Sequence, residues 1–390
     1  MTKNSGFPIC LLEQPIENRA KYFHEFTVAH PLLVKSTKQV LDTIKNPEGY
    51  SIFMVIGPTG VGKTTLRKKV EKIVIQEMLS EMENDKSFIP IVGMEIVSPD
   101  SGKFSWIDYY KRALQELNEP MIDKKIDYDQ LFLKSNFKSK YALTSKKTTA
   151  MELRKSLESA FHYRRTVTFL IDEAQHFTKM ASGRRYQDQL DTIKSLSNMT
   201  NVIHVLIGTY ELLPFVNLSG QLSRRTIDIH FPRYKADSND DLYIFNSVLK
   251  TFESHMPLEK ESNLIKYWDF IYERTIGCVG ILKNWLERCL NEALHEGYKS
   301  IDFELLKKHS LSLSKAEKMA IEAIEGESTL EDNEEKKINL HKILGINSSN
   351  GEKTTNIDKC GKSVGKNKKK HNVGQRKPMR DEVGQLEKAK

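Results

Sequence analysis

Eight residues constrain this chain more than any others: Gly57-Pro58-Thr59-Gly60-Val61-Gly62-Lys63-Thr64, a G-x-x-x-x-G-K-[ST] pattern. They follow an apolar run, Ser51–Ile56, and open an amphipathic stretch, Thr64–Met82. A strand, a Gly-rich loop and a helix in that order turn backbone N–H groups inward around an anion, beside the positive end of the helix. An ordinary Gly-rich turn accounts for the glycines but leaves Lys63-Thr64 unexplained. Lys63 is expected to reach the β- and γ-phosphates and Thr64 to ligand Mg²⁺, with Thr65 completing the nucleotide-binding set. The implied ligands are ATP and Mg²⁺.

A second signature follows downstream. The apolar segment Thr166–Ile171 ends in Asp172-Glu173, which places two acids at the strand edge where α/β sheets bind ligands. Asp172 is expected to hold the metal through water and Glu173 to polarise the attacking water. A further strand, Val202–Ile207, terminates in Gly208-Thr209, and Thr209 is assigned contact with the γ-phosphate or that water. Arg224 and Arg225 precede the apolar Ile227–Phe231. A guanidinium offered across a subunit boundary would neutralise charge on the transferring phosphoryl group, whereas two cations at a helix end also stabilise its dipole.

The short apolar runs Ser51–Ile56, Phe88–Val97, Val167–Ile171 and Val202–Ile207 alternate with amphipathic stretches such as Met151–His162. That alternation predicts an α/β domain whose parallel sheet is flanked by helices on both faces. After Pro232 helical patterns take over, at Asp241–Met256, Glu261–Thr275, Gly280–Glu296 and Asp302–Ala323. The expected division is an N-terminal extension (1–47), a nucleotide-binding domain (48–233), a helical lid (234–325) and a basic tail (326–390).

Composition matters chiefly for the tail. Lys and Arg number 60 against 52 Asp and Glu among 390 residues, a net charge of +8. No Phe, Tyr or Trp occurs after Phe303, and 351–380 carries ten cations against Glu352 and Asp358. Such a segment buries too little apolar surface to offset its ordering entropy, so disorder is expected from about 326, with a short helix near Ile338–Leu344. It reads either as a solubilising tail or as a docking arm. Four scattered cysteines (Cys10, Cys278, Cys289, Cys360) form no C-x-x-C pair, which argues against a disulfide scaffold or a zinc site. No apolar run approaches the ~18 residues that span a bilayer. The first fifteen residues lack a signal-peptide pattern. A soluble protein of a reducing cytoplasm, with no membrane partner, is expected.

The order of these features resembles the AAA+ ATPases, and at finer grain the TnsC/TniB regulators of bacterial transposition. The likeness spans about residues 20–310. It rests on Ala29-His30-Pro31, GPTGVGKTT, FLIDEAQHF, VLIGTYEL, LSRRTIDIHFPRY and Gly277-Cys278-Val279-Gly280. The resemblance implies an AAA+ P-loop NTPase that hydrolyses ATP and forms homo-oligomeric rings or filaments on double-stranded DNA. It also implies recruitment of a transposase after a signal from a target-selector protein or a CRISPR complex. Arg224 falls at the intersubunit arginine, with Arg225 beside it. Lys103, Lys147 and Thr149 fall where DNA-backbone contacts would lie. Lys supplies charge, and Thr a hydroxyl, to phosphate oxygens. The wider Lys134–Lys155 segment, which holds Lys147 and Thr149, has a solvated basic helix face as its alternative reading. The lid departs from the common Gly-x-x-Arg start; its nearest cation is Lys283.

Two rival functions share the motifs. One is a nucleotide-switch signalling ATPase with no nucleic-acid role. The other is a replication initiator or helicase loader, which ordinarily carries an appended DNA-reading domain, and none is evident after Phe303. Phe104, Trp106, Tyr109 and Tyr110, and His162, His176 and His204, are expected to serve packing.

Overall fold

A computed structural model describes residues 6–98, 104–124, 149–178, 183–214, 226–331 and 334–346, with backbone alone for 124 and 183–187. Residues up to 332 form one unit; the second begins at Asn333. The elements of the first unit run α1 (Ile16–Glu25), α2 (Pro31–Lys45), β1 (Ile52–Ile56), α3 (Lys63–Glu77), α4 (Leu79–Asn84), β2 (Ile91–Glu95), α5 (Trp106–Glu116), α6 (Ala150–Tyr163), β3 (Thr168–Asp172), α7 (Gly183–Thr200), β4 (Ile203–Gly208) and β5 (Thr226–His230). The lid elements are α8 (Asn239–Ser254), α9 (Trp268–Thr275), α10 (Val279–Glu296), α11 (Phe303–His309) and α12 (Leu313–Leu330).

The five strands form one parallel sheet in the order β2-β3-β4-β1-β5. All five side chains of β1 are buried, and the alternation of the pleat divides them between two cores. Ile52, Met54 and Ile56 join the face covered by α5, α6 and α7, through Tyr109, Leu153 and Leu190. Phe53 and Val55 join the opposite face, with Leu33 and Val40 of α2 and Leu66 and Val70 of α3. A strand covered on both sides needs continuous apolar sequence, which is why IFMVI reads as it does. Burying each such side chain contributes roughly 1.5–3 kcal/mol. Phe104, Trp106, Tyr109 and Tyr110 pack in the first face, where Phe104 and Trp106 meet Phe177 at centroid separations of 4.9 and 6.0 Å.

The lid is a helical core of Phe245, Leu249 and Phe252 (α8), Leu282, Trp285 and Leu286 (α10), and Leu305 and Leu306 (α11). Phe23 of α1 is fully buried in it, so the N-terminal segment joins both bodies: α1 packs with the lid and α2 with the sheet. Lys283 is committed to this junction. Its Nζ donates to the His24 carbonyl at 2.6 Å.

Two expectations shift. The Asp302–Ala323 pattern divides into α11 and α12, and α12 continues past the expected tail boundary at 326. Gly326 and Glu327 are buried there, because Glu327 pairs with Arg233 and Gly326 lies against the Tyr210 ring. The second unit contains one described helix, α13 (Glu334–Leu344). No helix among the described residues is long and apolar enough to cross a membrane.

Candidate nucleotide site

The topology brings three strand tips together. β4 lies between β1 and β3, so the loop after β1, the acids after β3 and Thr209 after β4 share one edge of the sheet. The Gly57 amide donates to the Gly208 carbonyl at 3.3 Å and fixes two of those tips to each other. Gly60 and Gly62 adopt left-handed φ angles of 77° and 113°, which other residues reach only under strain. Lys63 opens α3 and is buried. Its Nζ donates to the Gly57 and Pro58 carbonyls at 3.1 and 2.9 Å. Burial lowers its pKa, opposed by the charges of Glu173 and Asp172. Thr64 is exposed at the helix start and Thr65 half-buried.

Asp172 is fully buried. Its Oδ1 accepts from the Glu173 amide at 3.0 Å. Its Oδ2 has no hydrogen-bond partner, and Arg67 Nε stands 3.4 Å away. Arg67 lies one helical turn beyond Lys63 and also donates to Glu71 at 2.8 Å. Burial raises the Glu71 pKa against the pull of Arg67. The pair lies against Gly93 of β2, where any Cβ would collide with the Glu71 carboxylate.

Glu173 takes φ 54°, a left-handed conformation that is uncommon outside glycine. Its Oε2 accepts from Gln175 Nε2 at 2.6 Å, while Gln175 Oε1 accepts from the Thr209 amide at 3.3 Å. One buried side-chain amide therefore joins the acid to the strand tip. The orientation follows from chemistry, since a carboxylate requires the NH₂ end and an N–H requires the oxygen. The Thr209 hydroxyl is buried with no hydrogen-bond partner.

The lid docks directly on the loop. Ile281 N donates to the Gly60 carbonyl at 3.2 Å, and a Cβ at position 280 would lie 2.5 Å from that same oxygen. Gly280 thus lets the α10 backbone approach where a longer residue would hold it away. Gly277, at φ 78°, has its Cα against the Tyr234 carbonyl.

The described residues suit a magnesium–nucleotide complex. The loop supplies inward N–H groups and an ammonium, Asp172 an oxygen whose one close polar neighbour among the described residues is the Arg67 guanidinium at 3.4 Å, and Thr209 a hydroxyl with no hydrogen-bond partner. No cluster of three or more His, Cys, Asp or Glu side chains that could enclose a metal occurs among the described residues. The sequence pattern assigns no role to Gln175, Arg67 or Gly280. Arg67 is one helical turn after Lys63, and Gln175 two residues after Glu173, but pattern alone does not show which way either points.

Other site candidates are resolved unevenly. Lys103, Lys147, Arg224 and Arg225 lie outside the described residues. Thr149 caps α6 in a reciprocal box: its Oγ1 accepts from the Glu152 amide at 3.3 Å, and Glu152 Oε2 accepts from the Thr149 amide at 2.7 Å. Its hydroxyl therefore already has local partners. His204 is fully buried with Nδ1 2.9 Å from the Val202 carbonyl.

Residues 46–216 match the family model described as "AAA domain". Among curated protein sequences, none matches the chain. Among solved structures, the ORC2 protein of Aeropyrum pernix, described in ADPNP–ADP complexes, is similar at a TM-score of 0.50 and 13% identity, covering 76% of this chain and 71% of that one. A Walker-type ATPase of Pyrococcus abyssi gives 0.41 and 14%, covering 80% and 75%. Domain III of the replication initiation protein DnaA of Thermotoga maritima gives 0.37 and 14%, covering 78% and 97%. The match over residues 46–216, the likeness to the ORC2 structure, the strand order and the loop geometry together give this chain the α/β P-loop NTPase fold, with an AAA-type domain as the part matched.

Proposed function

We propose that this protein is an ATP-hydrolysing regulator of transposition, which assembles on duplex DNA in its triphosphate-bound state and recruits a transposase. One observation carries the enzymatic half. The loop with Lys63, the buried Asp172 beside Glu173, and the unpartnered Thr209 hydroxyl converge at three adjacent strand tips beneath a docked lid. The transposition half rests on the family motifs of the sequence.

In this reading the loop amides and Lys63 bind the β- and γ-phosphates, and Lys63 leaves the Gly57 and Pro58 carbonyls to do so. Thr64 and Asp172 would hold Mg²⁺, which supplies charge neutralisation to the phosphate oxygens. Glu173 accepts the proton of the attacking water, with its carboxylate held by Gln175. Thr209 orients that water or the γ-phosphate. Arg224, with Arg225 beside it, reaches the pocket of a neighbouring copy and neutralises charge in the transition state. Lys103 and Lys147 meet DNA phosphates, as does Thr149 through whatever capacity its cap leaves. A target-selector protein or CRISPR complex supplies the signal, in the bacterial cytoplasm.

The test is ATP turnover by the full chain with and without duplex DNA. DNA should stimulate the wild type. Glu173→Gln should bind nucleotide and turn it over only at a residual rate, and Lys63→Ala should bind none. The Lys103→Ala/Lys147→Ala pair should keep basal turnover and lose the stimulation. Turnover indifferent to DNA in the wild type would favour the nucleotide-switch alternative.

A further inference from the structure

The mouth of the triphosphate site is walled by α12. A cavity of about 620 Å³ runs from Pro58 and Thr59 of the loop, past Gln175 and Thr209, to Glu322 and Glu325 of that helix. Among the described residues no Lys or Arg lines it, whereas Glu211, Glu322 and Glu325 do.

Separate contacts hold α12 there. Ala323 is buried with Ile276 and Cys278. Gly326 lies so close to the Tyr210 ring that any Cβ would overlap it. Glu327, only 4% exposed, accepts from Arg233 Nε at 2.9 Å and Nη2 at 3.3 Å, while Lys235 Nζ donates to Glu331 at 2.8 Å. Arg233 and Lys235 follow β5, at the join between sheet and lid. The helix is thus clamped by its last turns, and its free carboxylates border the cavity.

A diphosphate keeps its charge within the loop, near Lys63. A triphosphate seated on the loop would extend toward Thr209 and the cavity, where three carboxylates face it and His176 is the one basic side chain among the described lining residues. Glu211, Glu322 and Glu325 are exposed, so their repulsion of added phosphate charge is modest and screened by salt.

We propose that α12 is an acidic cap that discriminates between nucleotides: it stays docked over an empty or diphosphate-bound site and is displaced by a nucleoside triphosphate. Its release uncovers the front of the loop and the Thr209–Pro214 segment for a second copy of this chain. The proposal rests on the nucleotide-binding reading above and names how that site is regulated.

The test uses the full chain with ADP and with a slowly hydrolysed ATP analogue, each with Mg²⁺. Hydrogen exchange across 313–331 should accelerate with the analogue and not with ADP. In titration calorimetry, Glu322→Gln/Glu325→Gln should bind the analogue about fivefold more tightly and leave ADP affinity nearly unchanged, a gain that shrinks in high salt because exposed charges are screened. Gly326→Val should speed exchange of the helix without nucleotide while circular dichroism shows the rest folded. Equal exchange with both nucleotides, or an unchanged affinity ratio in the glutamine pair, would overturn the cap. If neither nucleotide binds the wild type, the nucleotide reading itself fails; if both bind without discrimination, only the cap does.

Discussion

Replacing Gln175 by Ala removes a single bridge with two ends. At one end Glu173 loses the donor at 2.6 Å; at the other the Thr209 amide loses the acceptor at 3.3 Å. Hydrogen bonds to charged groups contribute roughly 1.5–3 kcal/mol. If that energy is spent on aligning Glu173 in the transition state, the loss corresponds to roughly a 10- to 150-fold fall in turnover, at about 1.4 kcal/mol per factor of ten. Gln175 belongs to the segment after β3 and donates none of its hydrogen bonds to the loop, so affinity for ATP should stay within about twofold. Gln175→Glu separates the two ends, since it keeps an acceptor for Thr209 and sets a like charge against Glu173. It should be at least as slow as the alanine variant. The assay is single-turnover hydrolysis alongside fluorescent-nucleotide binding, repeated in a Glu173→Gln background. There a second change at 175 should have no further effect. A full additive loss in that background, or an equal fall in affinity and turnover, would refute the argument and make Gln175 a packing residue.

Three further outcomes are expected. Gly280→Ala places a Cβ 2.5 Å from the Gly60 carbonyl, and the roughly 1–3 kcal/mol of overpacking should push the lid from the loop and weaken nucleotide binding about tenfold by calorimetry. Burial lowers the His204 pKa to about 4, ahead of the opposing hydrogen bond to Val202, so the folded state favours the neutral ring. Its contribution to stability is complete above about pH 6.5 and is lost as pH falls toward 4; urea denaturation of His204→Leu should show a shallower acid-side decline, by up to about 1.4 kcal/mol per pH unit. Deleting 347–390, which spares α12 and α13, should leave ATP turnover intact and impair transposase recruitment in a pull-down; equal recruitment would reduce that segment to a solubility device.

The sheet was legible because strands buried on both faces carry unbroken apolar sequence. Ser51–Ile56 and Val202–Ile207 lie within a residue of β1 and β4. Phe88–Val97 overreached at both ends: β2 pairs with β3 only over Ile91–Glu95, after Pro90. The lid pattern was read correctly as helical, but Asp302–Ala323 concealed a break at Ser310–Ser312, where Arg274 donates to the Leu311 carbonyl at 3.0 Å. The tail boundary was set by composition, and composition does not show that Glu327 meets Arg233 from 94 residues away. The same limit applies to the site. Lys63, Asp172 and Glu173 are read from spacing along a strand and a loop. Gln175, Arg67 and Lys283 depend on which way a side chain turns, and Lys283 turns to the His24 carbonyl.

In the proposed function, nucleotide state governs assembly on DNA. Electron microscopy of the full chain with a slowly hydrolysed ATP analogue and duplex DNA, against ADP and DNA, tests it most directly. Ordered rings or filaments enclosing the duplex with the analogue alone are the expected result; monomers in both samples, or DNA-independent particles of one size, would contradict it.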